Sequence, residues 1–62
     1  MRQYLMEMLV YPKTKEEKAA MGIAQALVCA RTNEIAHRRA LHEAWRRGYW
    51  VQGIQILEEK QL

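Results

Sequence analysis

Pro12 is the only proline in this chain, and from Thr14 to Arg47 the only glycine is Gly22. Proline disfavours helical geometry at the residue before it and so closes whatever precedes it. The chain therefore divides into a short N-terminal segment, residues 1–11, and a long stretch with almost no breaker, whose structure its periodicity must decide. The segment "RQYLMEMLVY" has two readings. As a helix it places Met1, Leu5, Met8 and Leu9 on one face; as a strand it places Tyr4, Met6, Met8 and Val10 on one side. The helix is the preferred reading.

After the proline, "TKEE" sets Thr14 three residues before Glu17, the spacing at which a hydroxyl and a carboxylate satisfy each other's orphan backbone N–H groups, so a helix is expected to start at Lys15. With Ile23 at zero and about 100° per residue, Ala19, Ala20, Ala26, Leu27, Ala30, His37, Leu41, Ala44 and Trp45 all lie within about 60° of it. That stripe predicts one helix over 15–47, about 50 Å long. The rival is a break at 31–33, where Thr32 or Asn33 would cap a second helix. Basic residues ending in Gly48 fit a helix C-terminus closed by a left-handed glycine. Trp50, Ile54, Leu57 and Gln61 then recur at helical spacing, which predicts a shorter antiparallel helix over 49–61. The expected fold is all-α: a single small domain, 1–62, built as a helical hairpin with a short N-terminal helix or strand and assembled as a dimeric bundle.

The stretch "RRGYWVQGIQILEE", with Gly48, Trp50 two residues on and Gly53 five on, resembles the turn and second helix of a tetratricopeptide repeat. The likeness covers about a quarter of the chain and implies helix–turn–helix geometry alone, since a solenoid needs about three stacked 34-residue units. Ile23, Ala24 and Leu27 resemble the opening of a DNA-binding helix-turn-helix, but Val28 stands where a turn glycine is expected, and Glu34 where the recognition helix wants an apolar residue. A ribbon-helix-helix would need "YLMEMLVY" as a paired strand, and that strand would present Met, Leu and Tyr where Arg, Lys, Asn or Gln normally read bases.

A chain of 62 residues buries only about 60% of the surface its unfolded form exposes, and this one has no Phe to enlarge the core. Chains so small usually add disulfides, a metal or a partner. Cys29 is the only cysteine and excludes an internal disulfide. Nothing at the N-terminus has the order of a secretory signal, and no apolar run approaches the roughly 20 residues that span a bilayer, so a cytoplasmic protein without membrane association is expected. A homodimer is the expected remedy for the small core, with Ile23, Leu27, Ala30, Glu34, His37, Leu41 and Trp45 along its seam.

Residues 31–48 hold five of six arginines and both histidines, and carry the whole net charge of +3. Arg31, Arg38, Arg39, His42 and Arg46 fall on the side away from the apolar stripe, a basic ridge that could supply sequence-independent contacts to nucleic acid. Against this, Glu34 precedes Arg38 by four residues and Glu43 precedes Arg47 by four, so part of the charge is expected to pair along a solvated face. Glu34 and His37 form the Glu-x-x-His spacing of dimetal bundles, yet Glu16 would lie about 27 Å away and Glu43 faces elsewhere. The pair is expected to set register, with no metal and no cofactor. There is no phosphate-cradling glycine loop and no serine, and Cys29 lacks an adjacent base, so catalysis is not expected. Tyr49 and Trp50 cannot both point inward. An exposed aromatic beside Arg46 and Arg47 is the best candidate for binding a protein partner, because Trp, Tyr and Arg dominate binding hot spots. The expected function is a small non-enzymatic protein-binding module, with a basic nucleic-acid-binding regulator as the alternative.

Overall fold

The computed structural model describes residues 1–13 and 21–62. It corrects the all-α expectation. Three strands, β1 (Arg2–Pro12), β2 (Gly22–Ala30) and β3 (Tyr49–Gln61), form one antiparallel sheet in the order β2-β1-β3, and a single helix among the described residues, α1 (Asn33–Arg46), lies on one face of it. Both outer strands run antiparallel to β1 and therefore parallel to each other, and α1 is the crossover that carries the chain from one to the other over β1. The expected cap at Thr14 and helix start at Lys15 lie outside the described residues.

β1 is the strand of the two readings considered above. Tyr4, Met6, Met8 and Val10 alternate onto the helix side and are all buried. Opposite them α1 presents Ala36, Ala40 and Ala44, spaced four residues apart so that they stack on one face. Alanines let the helix axis approach the sheet closely, and the long, adaptable methionines fill the space left over. Ala24, Ala26, Val28 and Ala30 from β2, and Val51, Ile54 and Ile56 from β3, complete the core on either side. Tyr4 and Met6 are its largest fully buried side chains.

β2 overturns the helix expected over 15–47. The sequence "GIAQALVCA" is apolar on both sides of the strand, so it shows no alternation, and Ala, Leu and Gln favour helices when taken alone. Pairing over nine residues with β1, from Arg2↔Ala30 to Val10↔Gly22, overrides that local preference. β3 overturns the helix expected over 49–61 and, with it, the likeness to a tetratricopeptide repeat. Its register with β1 slips at Leu5/Met6 and at Leu9/Val10, leaving Gln52 and Leu57 without a partner. Each bulge inserts one extra residue, so inward side chains fall at Val51, Ile54 and Ile56, and the period of two that would mark a strand is interrupted.

α1 starts at the break of the rival reading, and no helix continues through 31–33. Thr32 is extended (φ −135°, ψ 161°), and its hydroxyl accepts from the Ile35 N–H at 3.2 Å. The helix ends at Gly48, whose φ of 93° is left-handed and whose N–H donates to the Trp45 carbonyl at 3.0 Å. The helix-turn-helix and ribbon-helix-helix templates both require a second helix and find none among the described residues. The apolar stripe predicted through Leu41 is one residue, about 100°, out of phase with the seam that packs. Ala40 is 1% exposed and Leu41 is 41% exposed.

This offset makes a stability prediction. Ala40→Leu should overpack the seam and cost about 1–3 kcal/mol, whereas Leu41→Lys should change stability by no more than about 0.5 kcal/mol. Urea unfolding followed by circular dichroism reads both, and equal losses would contradict the placement of α1.

Candidate functional site

The two flanks of α1 carry different chemistry. Arg39, Glu43 and Arg47 overlook β2, bordering a shallow groove along Gln25–Cys29. Arg38, Leu41, His42 and Trp45 overlook the start of β3 and line a second groove with Tyr49, Trp50 and Val51. The second groove is the candidate site, because the reversal at Gly48 sets the last turn of the helix beside the first residues of the strand. Tyr49 and Trp50 pair with Pro12 and Tyr11 at the end of β1, which brings Lys13 to the same corner. The Lys13 N–H donates to the Gly48 carbonyl at 3.0 Å, and its ammonium donates to the Trp45 carbonyl at 2.9 Å. That ammonium lies 3.8 Å from the Trp45 ring centroid and 5.6 Å from that of Trp50, within cation–π range of both. Trp45, Tyr49 and Trp50 are all exposed, so the corner is an aromatic surface open to solvent.

The structure separates the sequence-predicted residues into several places. Of the partner-binding set, Tyr49 and Trp50 are in the groove. Arg46 and Arg47 instead converge on Glu43, at 3.1 and 2.9 Å. Hydrogen bonds from Arg47 first and Arg46 second hold the Glu43 carboxyl below the ordinary glutamate value. Of the basic ridge, Arg39 donates to the Cys29 carbonyl. Arg31, Arg38 and His42 are exposed, and no ion pair joins Arg38 to Glu34 among the described residues. The residues expected along one dimer seam do not share a face. Ile23 and Leu27 point out from β2 on the side away from the helix, Ala30 is buried, and Glu34, His37, Leu41 and Trp45 lie on α1.

His37 is half-buried, and its Nδ1 lies 3.0 Å from the Asn33 carbonyl one turn back. Among the described residues no three His, Cys, Asp or Glu side chains converge as metal ligands. Sequence reasoning missed Lys13, which reaches the corner only through the non-local pairing of β1 with β3, and no local pattern signals that. Comparison with protein-family models, with curated proteins and with solved structures found no match. No helix of the described residues is long and apolar enough to cross a membrane.

The Glu43 cluster predicts a pH dependence. A carboxyl lowered in the folded state contributes stability that is complete above the unfolded glutamate pKa and is lost as pH falls through the lower folded value. Thermal melts should therefore show an acid limb beginning near about pH 4.3, and part of it should be absent in Glu43→Gln. An identical acid limb in that variant would show that the cluster contributes nothing.

Proposed function

We propose that this chain is a small, non-enzymatic, cytoplasmic protein-binding module, and that the corner between α1 and β3 docks an acidic segment of a partner protein. The observation that carries this reading is the convergence of three exposed aromatic side chains, Trp45, Tyr49 and Trp50, with Arg38 and His42 in one groove. Aromatic rings offer large contact area for little lost side-chain freedom, and Trp, Tyr and Arg supply most of the energy at protein interfaces. Leu41 and Val51 give the groove an apolar floor for an anchoring side chain. Charge selects the partner. Arg38 lines the groove and is not paired to a carboxylate among the described residues, and the chain carries a net charge of +3. The bare groove therefore favours carboxylates at its rim.

In-cell photocrosslinking from a reactive residue substituted at His42, with one at Gln55 on the other side of the sheet as control, tests this directly. His42 should yield a protein adduct that Gln55 does not. With the captured partner purified, Trp50→Ala should weaken binding by on the order of 2 kcal/mol, about thirtyfold, with the fold intact. Nucleic-acid adducts from His42 would overturn the reading, above all if random duplex bound with a steep salt dependence that fell by about one unit on loss of Arg31 or Arg38.

A further inference from the structure

We propose that two copies of this chain join through β2, edge to edge, into a two-fold dimer with one continuous six-stranded sheet. β2 is hydrogen-bonded to β1 alone among the described residues, which leaves the backbone groups of its outer edge without a strand partner. Natural sheets blunt such edges with charges, prolines or bulges. The other edge of this sheet has two of these devices: β3 has bulges at Gln52 and Leu57, and Glu58, Glu59 and Lys60 near its end. β2 has none. Gly22–Ala30 contains no charged residue and no proline, and it pairs with β1 without a shift in register. Ile23 and Leu27 are also the most exposed large apolar side chains on any strand, at 69% and 66%.

A second copy fits this edge for geometric reasons. Antiparallel pairing of a strand with itself requires a two-fold axis normal to the sheet, which keeps both helices on the same side. Directly opposed residues must point to the same face, and the register that pairs all nine residues centres on Ala26. Ile23 then lies beside the partner's Cys29, Gln25 beside the partner's Leu27, and Ala24 beside the partner's Val28. Every opposed pair is uncharged. On the helix side the two α1 axes would stand about 14 Å apart, three strand spacings, wider than the roughly 8–10 Å of helices in contact. The trough between them is floored by Ala24, Ala26 and Val28, and the long side chains of Arg39, Glu43 and Arg47, which already border this edge, reach into it. This surface is separate from the aromatic corner, so either reading can fail without the other.

The full chain carrying Ile23→Cys provides the test, with Cys29 as the natural second thiol. Within one chain the two thiols stand about 20 Å apart along β2 and cannot bridge. Across the proposed seam they are directly opposed, so mild oxidation by a copper–phenanthroline complex should remove the two thiol protons and two electrons and link the chains covalently. Wild type, whose two Cys29 thiols would be about 20 Å apart in the dimer, should stay unlinked. Leu9→Cys, on the same face of the central strand, should stay unlinked as well. Sedimentation of wild type at micromolar concentration should give twice the chain mass, and circular dichroism should show each variant folded as wild type. A monomer would overturn the proposal, and so would a dimer that Leu9→Cys links while Ile23→Cys does not, since that pattern marks face-to-face stacking of the sheets.

Discussion

The contact between the inner face of β1 and the alanine face of α1 determines where everything else in this molecule lies. Tyr4, Met6, Met8 and Val10 on one side, and Ala36, Ala40 and Ala44 on the other, form the central part of the core. Burying a Val or Met side chain is worth about 1.5–3 kcal/mol, so a chain with few bulky residues depends on this one seam. Because the alanines face the sheet, the residues one and two places further along α1 turn toward β3, and those one place before turn toward β2. The aromatic groove and the charged flank above β2 both follow from that rotation of the helix.

The parts of the fold legible in the sequence are those fixed by local chemistry. Thr32 caps the helix because its hydroxyl can reach an N–H three residues on, and Gly48 ends it because a left-handed residue without a Cβ is needed there. The alternation of Tyr4, Met6, Met8 and Val10 was visible as well, although Leu and Met in the same segment permitted a helix. The two outer strands were hidden for different reasons. β2 is apolar on both faces, which removes its alternation and leaves only the helix-favouring character of Ala and Leu. β3 alternates, but its bulges at Gln52 and Leu57 interrupt the period, setting Val51, Ile54 and Ile56 at spacings of three and two. Its composition, rich in Trp, Tyr, Val and Ile, was the strand signal that the spacing obscured.

The candidate site was half legible. Tyr49 and Trp50 stand out because two adjacent large aromatics at a reversal cannot both be buried in a chain this small. The pairing of Glu43 with Arg47 follows from their separation on a helix, and it removes charge that would otherwise be counted toward binding. Lys13 was not legible, since it reaches Trp45 only after β1 and β3 have zipped together to Pro12↔Tyr49. Likewise Ile23 and Leu27, expected beside Leu41 and Trp45 on one helix, lie on a different element. The assembly surface passes from a helical seam to the edge of a sheet.

The fold requires residues 22–30 to be an outer strand on a central β1, and nuclear Overhauser contacts of the uniformly labelled protein measure that directly. The structure predicts interstrand contacts from Met6 and Met8 to Ala24 and Ala26 on one side and to Ile54 and Ile56 on the other. It also predicts helical contacts, α-proton to the amide three residues on, over 33–46 alone among the described residues. Helical contacts running through 22–30, with none joining that stretch to β1, would contradict it.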